Sequence, residues 1–363
     1  MIIKSVELQN FRNYSLEKIE FDKSTNILYG DNAQGKTNIL EAIFVSATTK
    51  SHKSSKDNEM IAFNNNEAHI KALVSRNDID YRIDIHLKKN KSKGIAINGV
   101  PVKRAMDLYG IINIIFFSPE DLNIIAEGPA LRRRFIDMEL CQLDRIYADN
   151  LIKYNKALNQ RNKLLKDIYY NESLKDTLDI WDMQIVNYGR EIISRRRQFI
   201  KELNGIMCIT HSKLTGNVEN INIDYEMSVN EENFEKIIAE GRNKDIKFGM
   251  TSYGPHRDDI IFDIDGIDVR KYGSQGQKRT TALSLKLAEI ELVKQKIGEM
   301  PILLLDDVLS ELDSKRQNYL LNSLNGVQTI ITCTGLDEFI DNRFEINKIY
   351  KVVKGKVCPY IAK

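Results

Sequence analysis

The sequence is poor in features that mark secreted, metal-ribbon or membrane proteins. It has four cysteines without any CxxC spacing, which excludes a disulfide scaffold and a zinc ribbon and is typical of a reducing cytosol. The longest apolar stretch, residues 111–117, is interrupted by Asn113 and is too short to cross a bilayer. Lys4 and Glu7 stand where a signal peptide needs an apolar core. We therefore expect a cytoplasmic protein with no membrane partner.

Charge of one sign is not in excess either. The chain has 53 Lys and Arg against 51 Asp and Glu, a net charge of +2, so it is not a strongly basic nucleic-acid coat, and anions must be bound by local clusters. Such clusters are usually solvated faces. Together they could contact several nucleic-acid phosphates, reading backbone and shape. They are Lys50/His52/Lys53/Lys56, Lys88/Lys89/Lys91/Lys93, Arg132/Arg133/Arg134 and Arg195/Arg196/Arg197.

The middle of the chain lacks helix breakers. Between Ala130 and Asn204 there is one glycine, Gly189, and no proline, which favours long helices. We predict an antiparallel helical pair that turns near residues 171–173. Short apolar runs on either side predict strands, including 2–8, 26–29, 81–87, 260–264, 302–305 and 328–333. The predicted fold class is α/β, with mixed sheets and a helical arm, and 363 residues suggest about two domains.

Residues 30–37 carry a phosphate-binding pattern. They read GDNAQGKT and satisfy G-x-x-x-x-G-K-[ST] between an apolar strand and a helical pattern. The glycines let the backbone turn its N–H groups toward phosphate oxygens, and the helix adds its positive end. Lys36 is expected to neutralise the β- and γ-phosphates and Thr37 to ligate Mg²⁺. The predicted nucleotide-binding residues are Gly30, Asp31, Asn32, Ala33, Gln34, Gly35, Lys36 and Thr37.

Two carboxylates follow a second apolar strand. The run ILLL ends at Asp306 and Asp307, and four apolar residues in a row predict a parallel strand buried on both faces. Ligands bind at the carboxyl ends of such strands. Asp306 is expected to hold Mg²⁺ through its water shell, and Asp307 to orient the attacking water. Alone, the pair would also fit a solvated acidic turn; beside the phosphate loop, we predict Lys36, Asp306 and Asp307 as catalytic residues.

A second glycine motif precedes a long helical pattern. Residues 272–280 read YGSQGQKRT, and a Ser-x-Gly-Gln turn at a helix N-terminus forms another anion site. Two phosphate-directed motifs are more than one monomeric site needs. We therefore predict a composite site, in which Ser274, Gly276 and Gln277 of one copy complete the nucleotide pocket of another. Alone, this motif would fit a flexible loop.

These motifs together resemble a known arrangement. With SELD at 310–313, they are similar to the Walker A, signature, Walker B and D-loop elements of ATP-binding-cassette ATPases. Within that superfamily the chain resembles the RecF family of bacterial recombination-mediator ATPases, which is related to SMC proteins. Further matches are NFRNY at 10–14, FSPEDL at 117–122, GPHRDD at 254–259 and LDDVLSELD at 305–313. They occur in the expected order over nearly the whole chain.

The resemblance implies a function and a domain plan. It implies a slow, DNA-stimulated ATPase that uses ATP and Mg²⁺ and forms an ATP-dependent homodimer on gapped duplex or single-stranded DNA. It implies work with RecR and RecO, help in loading RecA recombinase, and support of replication and the SOS response. The implied domains are an ATPase lobe at 1–117 completed by 297–363, a helical arm domain at 118–250 and a signature region at 251–296. Ser274 and Gly276 would contact the γ-phosphate on the opposite protomer, and Asp313 would lie at the dimer seam.

The chain departs from the cassette pattern at three places. Asp307 stands where most cassette ATPases have Glu. Glu120 or Asp121 stands in for the glutamine loop. Thr332 or Thr334 replaces the switch histidine. These departures favour slow hydrolysis.

Other functions stay open on this evidence. The subunit of a membrane transporter would need an LSGGQ signature and a Glu after Asp306, and a small-molecule P-loop kinase would need neither GSQGQ nor SELD. An ATP-binding scaffold without turnover remains an alternative because of Asp307. The triplet at 256–258 resembles a kinase HRD motif but lacks the kinase context, so His256 and Asp258 are predicted to be structural.

Overall fold

The computed structural model describes residues 1–53, 56–324, 326–335 and 346–360. The chain divides into two compact units, one formed by Met1–Asp121 with Leu285–Lys363 and the other by Leu122–Ser284. Residues 122–250 of the predicted arm and 251–284 of the predicted signature region fall in the second unit, while the exact domain boundaries stay a prediction. No helix in the described ranges is long and apolar enough to span a membrane.

The first unit contains a six-stranded antiparallel sheet in the order β2-β1-β4-β5-β6-β7. In β4, Ala68, Ile70, Ala72 and Val74 are buried while the residues between them are half-buried, which is the alternation of a sheet covered on one face. The strands are β1 (Ile2–Phe11), β2 (Tyr14–Glu20), β4 (Glu67–Arg76), β5 (Ile79–Lys88), β6 (Gly94–Ile97) and β7 (Val100–Pro101).

The second sheet of this unit has the order β15-β14-β3-β13-β12-β8. Its five strands from β14 to β8 pair in parallel, and only β15 is antiparallel. Because β3, β13 and β12 are neighbours that pair in parallel, their carboxyl ends lie at the same edge of the sheet. The strands are β3 (Thr25–Tyr29), β8 (Ile114–Phe117), β12 (Ile302–Asp306), β13 (Thr329–Cys333), β14 (Lys348–Val353) and β15 (Lys356–Pro359).

Helix α1 (Lys36–Thr48) lies between these two sheets. It contacts β1, β4 and β5 of the first sheet and β8, β12 and β13 of the second. Its side chains are therefore buried nearly all round, from Ile39 to Thr48, as expected of a helix covered on both sides. The phosphate-binding pattern thus precedes one of the most enclosed helices of the unit. The unit also contains α9 (Ser314–Asn322) and the end of α8 (Gln275–Ile297).

The second unit is mostly helical. Helices α4 and α5 pack on each other along their length and are joined by residues 171–177, which confirms the predicted helical pair and its turn. A three-stranded antiparallel sheet, β11-β10-β9, completes the unit. The elements are α2 (Leu122–Ala126), α3 (Pro129–Leu143), α4 (Arg145–Tyr170), α5 (Leu178–Thr215), β9 (Ile221–Glu226), α6 (Phe234–Phe248), β10 (Asp259–Ile264), β11 (Ile267–Asp268) and α7 (Val269–Tyr272).

The predicted strands are all present, each extended by one to three residues or shortened by one. Several elements were not predicted from the sequence, namely β2, β4, β8, β9, β11, β14, β15, α2, α6 and α7. In β4 the inward positions alternate between alanine and larger apolar residues, so its alternation is weaker than that of β5, where Ile83, Ile85 and Leu87 face inward.

Candidate nucleotide-binding site

The backbone of residues 30–35 has the conformation of a phosphate loop. Strand β3 ends at Tyr29 and α1 begins at Lys36. Between them Gly30, Ala33 and Gly35 have φ values of 150°, 62° and 116°, so the loop turns through conformations that side chains with a Cβ rarely adopt. Asp31, Asn32 and Ala33 are exposed. The loop therefore offers an open backbone surface directly before a helix N-terminus, which suits an anion.

The loop is held by the turn between β1 and β2. Asn13 donates from Nδ2 to the carbonyl of Gln34 at 2.9 Å, and the Tyr14 hydroxyl donates to the carbonyl of Gly35 at 3.0 Å. Asn38, in the first turn of α1, donates to Asn13 Oδ1 at 2.9 Å. The NFRNY motif therefore has a structural role, because its side chains hold the phosphate loop by hydrogen bonds.

The hairpin of β14 and β15 holds the loop from another side. The backbone N–H of Lys354 donates to Gln34 Oε1 at 2.7 Å, and that of Gly355 donates to the Gln34 carbonyl at 3.0 Å. At Gly30, a Cβ would lie 2.4 Å from the carbonyl oxygen of Val352. Sequence reasoning missed these supports, because they come from a part of the chain more than 300 residues away.

Lys36 lies buried beneath the loop. Its Nζ donates to the carbonyl oxygens of Gly30 and of Asp31, the latter at 2.8 Å. Burial lowers the pKa of Lys36, and the carboxylates of Asp307 and Asp306 oppose that shift. The ammonium group therefore occupies the loop and bonds to its backbone, from where a bound phosphate group would attract it.

The side chains of Asp306 and Thr37, the predicted Mg²⁺ ligands, are in hydrogen-bond contact. Thr37 Oγ1 donates to Asp306 Oδ1 at 2.8 Å, and Thr332 Oγ1, at the end of β13, donates to the same oxygen at 2.8 Å. Within the described part of the chain, no hydrogen bond reaches Asp306 Oδ2. A hydroxyl and a carboxylate in contact are the oxygen ligands that Mg²⁺ takes, so this donor set fits the ion.

Asp307 follows in a strained conformation. Its φ is 55°, in the region that non-glycine residues seldom adopt. Its backbone N–H donates to Thr332 Oγ1 at 3.1 Å and to the Thr332 carbonyl at 3.2 Å. Burial raises the pKa of Asp307, and the neighbouring Asp306 charge adds to the rise while Lys36 opposes it. Two contacts to one threonine therefore hold the backbone of Asp307 in place.

The residues predicted to replace the glutamine loop and the switch histidine differ in burial. Asp121 accepts from the backbone N–H of Ser118 at 2.7 Å, and burial raises the pKa of its carboxyl, whereas Glu120 is exposed. Thr334 is exposed, while Thr332 is buried against Asp306. Asp313 caps α9 by accepting from the backbone N–H of Arg316 at 2.9 Å.

In the second unit, the Ser274 turn forms a reciprocal helix cap. The backbone N–H of Gln277 donates to Ser274 Oγ at 3.2 Å, and the backbone N–H of Ser274 donates to Gln277 Oε1 at 2.9 Å, which is a capping box at the start of α8. Gln275 and Gly276 open the helix, so their N–H groups lack intrahelical acceptors. Because Ser274 Oγ accepts this bond, its hydroxyl hydrogen can point outward to another acceptor.

A polar chain behind this cap fixes Gln277. Its Nε2 donates to Glu219 Oε1 at 3.1 Å, and Glu219 Oε2 lies 3.2 Å from Nε2 of the fully buried His211. The other ring nitrogen of His211 lies 2.9 Å from Ser284 Oγ, about two turns further along α8 than Gln277. The side chain of Gln277 is therefore anchored at the base of the turn, whereas Ser274 and Gly276 are exposed.

In two of the predicted basic clusters one arginine is buried and paired, which corrects the prediction for that residue. Arg132 is buried and bonds Asp259 through Nε at 2.6 Å and Nη2 at 2.9 Å. Arg196 is buried between Asp137 and the carbonyl of Pro255, both at 2.6 Å. These guanidinium groups hold the second unit together and cannot face nucleic acid. Sequence spacing could not show this, since their carboxylate partners are distant in the chain.

The GPHRDD segment is structural, as predicted for His256 and Asp258. His256 Nδ1 lies 2.7 Å from the Tyr154 hydroxyl, and burial lowers the pKa of this histidine to about 4. The buried Asp258 accepts from the Tyr225 hydroxyl and from the backbone N–H of Ser228. His256 therefore ties the segment before β10 to α4, and Asp258 ties the same segment to β9.

This fold and these site residues define a class, the P-loop ATPase head shared with SMC proteins. The chain belongs to the RecF/RecN/SMC N terminal domain family, which it matches over residues 2–357, and within it to the RecF proteins. It is 62% identical over 357 residues to "DNA replication and repair protein RecF" of Agathobacter rectalis, covering 98% of this chain and 99% of that protein. The protein of the same name from Lachnoclostridium phytofermentans is 61% identical over 357 residues, with the same coverage.

Solved structures support the same assignment. The structure described as the recombination mediator protein RecF with ATP in the RecFOR pathway is 36% identical, with a TM-score of 0.93 over 99% of this chain and 97% of that chain. An SMC head domain of Pyrococcus furiosus, bound to the C-terminal domain of ScpA, is 17% identical with a TM-score of 0.56 over 99% and 96%. The second likeness shows the fold alone. The predicted family and fold class are confirmed.

Proposed function

We propose that this chain is an ATP-dependent protein of DNA replication and repair, in which ATP bound by one copy is enclosed by the Ser274 turn of a second copy. Support for ATP comes from the phosphate loop, its buried Lys36, and the ATP named in the description of a solved relative. Support for replication and repair comes from the names of the full-length relatives.

The observation that carries the dimer proposal is Gly276. It occupies the first turn of α8, and glycine is a weaker helix former than alanine. A Cβ on Gly276 would meet only Ser274 Oγ at 3.9 Å, so packing within the described chain does not require a glycine there. The open position beside the exposed Ser274 leaves room for a group that approaches from outside the chain. The exposed hydroxyl and N–H groups around Gly276 suit an anionic group.

The proposed chemistry is slow hydrolysis. Thr37 and Asp306 would hold Mg²⁺, which would neutralise charge on the β- and γ-phosphates. Asp307 would orient the attacking water; its raised pKa makes it a stronger base than an ordinary carboxylate. Its side chain is one methylene shorter than glutamate, which supports a low rate.

The finer parts of the proposal concern DNA. We infer that the dimer binds gapped duplex or single-stranded DNA, that DNA stimulates hydrolysis, and that RecR and RecO are partners in loading RecA, with effects on replication and the SOS response. The RecFOR pathway named for the solved relatives supports these partners. The exposed lysines 50, 53, 56, 88, 89 and 91 remain as candidate phosphate contacts, so binding should weaken as salt rises.

Analytical ultracentrifugation with ATP and Mg²⁺ tests the dimer. Gly276→Ala adds one methyl group on the proposed contact, and Gly205→Ala is a matched control, since Gly205 lies in α5 with nothing within 4 Å of its Cβ position. We expect both variants to fold and to bind ATP as monomers. The wild type and Gly205→Ala should dimerise with ATP, whereas Gly276→Ala and Lys36→Met should not.

The same measurement can contradict the proposal in a specific way. If Gly276→Ala forms the ATP-dependent dimer as readily as Gly205→Ala, the Ser274 turn does not contact the partner's nucleotide. If Lys36→Met still binds ATP and dimerises, the phosphate loop is not the nucleotide site.

A scaffold that binds ATP without turnover is the second candidate, favoured by the short Asp307 side chain. Single-turnover hydrolysis measured against Asp306→Asn separates the two. ATP consumption no faster than in that variant would support the scaffold.

A further inference from the structure

Two histidines and a glutamate lie together on the less buried face of the antiparallel sheet of the first unit. His69 in β4 is directly opposite His86 in β5, and their rings stack with centroids 4.2 Å apart and planes inclined by 13°. Glu67, two residues before His69, points to the same face because side chains alternate along a strand. Its Oε2 lies 3.1 Å from His86 Nε2.

The spacing of these three side chains suits a metal ion. One ligand atom from each can be chosen so that all lie within 4.8 Å of one another. Bonds of about 2.0–2.1 Å to a tetrahedral Zn²⁺ require ligand atoms roughly 3.4 Å apart. The distance between Glu67 Oε2 and His86 Nε2, 3.1 Å, is already close to this value. Side-chain rotation is enough to bring the other ligand atoms to this spacing, since the side chains of His86 and Glu67 are 41% and 45% exposed.

A cation already lies beside the cluster. Lys88 Nζ lies 3.6 Å from Glu67 Oε2 and is the cation that a metal would replace.

The surroundings leave room for further ligands of the ion. Gly94 in β6 pairs with His86 and has no side chain to cover it. A hollow of about 400 Å³ opens here, lined by His69, His86, Gly94, Leu16, Lys71 and Asp84 among others. Waters or a small anion can therefore complete the coordination shell, as in sites with three protein ligands.

From this geometry we propose that Glu67, His69 and His86 bind a divalent transition-metal ion, with Zn²⁺ as the best match. Two imidazoles and one carboxylate are a typical zinc set, whereas Mg²⁺ prefers oxygen ligands alone. The site is thus chemically distinct from the Thr37 and Asp306 pair. A bound ion would join β4 to β5 and stabilise this sheet.

Isothermal titration of the untagged, chelator-treated, full-length protein with ZnCl₂ tests the site. We expect one Zn²⁺ per chain at this site. His69→Ala and His86→Ala should each weaken binding by at least about 100-fold, because even outer contacts of metal ligands are worth 10- to 100-fold. Asp84→Asn is the matched control, since Asp84 lies on β5, on the same face and two residues from His86, and it should bind Zn²⁺ as the wild type does.

Two additional readouts make the result decisive. Co²⁺ should give the visible absorption of a four-coordinate ion in the wild type and in Asp84→Asn, and not in the histidine variants. Zn²⁺ should raise the thermal midpoint of the wild type and should not raise that of the histidine variants. The proposal is overturned if the wild type shows no saturable Zn²⁺ binding, or if the double variant His69→Ala/His86→Ala binds Zn²⁺ with unchanged stoichiometry and affinity.

Discussion

Replacing Gly35 by alanine places a methyl group where the phosphate loop has no space for one. The residue has φ 116° and ψ 1°. A Cβ there would lie 2.5 Å from Asn13 Nδ2 and 2.8 Å from the Tyr14 hydroxyl oxygen. These two groups donate the hydrogen bonds that support the loop at Gln34 and Gly35. The clash can therefore be relieved only by breaking those bonds or by moving the loop.

The size of the effect follows from two separate costs. Holding a non-glycine residue in this backbone region costs about 1–3 kcal/mol, and forcing a methyl group into a packed site costs about 1–3 kcal/mol more. The sum is roughly 2–6 kcal/mol. If the loop rearranges alone, the cost appears as lost ATP affinity, and 2 kcal/mol already corresponds to about 30-fold. If the loop stays in place, the same cost lowers the stability of the first unit.

Two further glycines of the first unit separate these costs. Gly298 has φ 72° and nothing within 4 Å of its Cβ position, so Gly298→Ala should show backbone strain alone, about 1–2 kcal/mol. At Gly94 the φ is not positive and the nearest atom to a Cβ is 3.8 Å away, so Gly94→Ala should show neither cost. Both controls should bind ATP as the wild type does.

Fluorescent-ATP titration and thermal unfolding measure the two outcomes for each variant. The reasoning is refuted if Gly35→Ala binds ATP within about 3-fold of the wild type and also unfolds no earlier than Gly298→Ala. That result would mean that Asn13 and Tyr14 do not confine the loop.

Two predictions concern charge and position in the two motifs. Because burial lowers the pKa of Lys36, ATP affinity should fall at a lower alkaline pH than an exposed lysine would allow, whereas Lys36→Arg should show no such fall. Between the lowered pKa of Lys36 and 10.5, the unfolded chain binds more protons than the folded chain, so the contribution of Lys36 to stability should rise with pH in that window. Titrations from neutral to alkaline pH measure the ATP affinity and the thermal midpoint. Glu219→Ala removes the charge-assisted hydrogen bond to Gln277, which is worth about 1.5–3 kcal/mol. It should weaken ATP-dependent dimerisation at least about 10-fold and leave ATP binding by the monomer unchanged. Sedimentation measures the dimerisation, and Glu219→Gln should restore part of it.

The phosphate loop and the Ser274 turn were predictable because their information is local. In both, glycine or a capping residue lies next to the start of a helix, and the pattern depends on fewer than ten neighbouring residues. The Asp306 strand was predictable for the same reason, since an unbroken apolar run indicates burial on both faces.

The supports of these motifs were not predictable, because they join distant parts of the chain. Lys354 reaches the loop across a separation of 320 residues, and Glu219 reaches Gln277 across 58. Nothing in the sequence near Arg132 or Arg196 distinguishes a buried ion pair from a solvated basic face. Only the fold brings Asp259 and Asp137 to them, and burial of each arginine is tolerable only with such partners.

Thr332 bears on how this site could operate without a switch histidine. Its hydroxyl has one hydrogen, which is donated to Asp306, and its oxygen also accepts from the backbone N–H of Asp307. A γ-phosphate contact from Thr332 would therefore require it to release Asp306, whereas the exposed Thr334 has no such bond to Asp306. We infer that Thr332 positions the carboxylate of Asp306 and the backbone of Asp307, and that the burial which raises the pKa of Asp307 offsets its short reach with greater basicity.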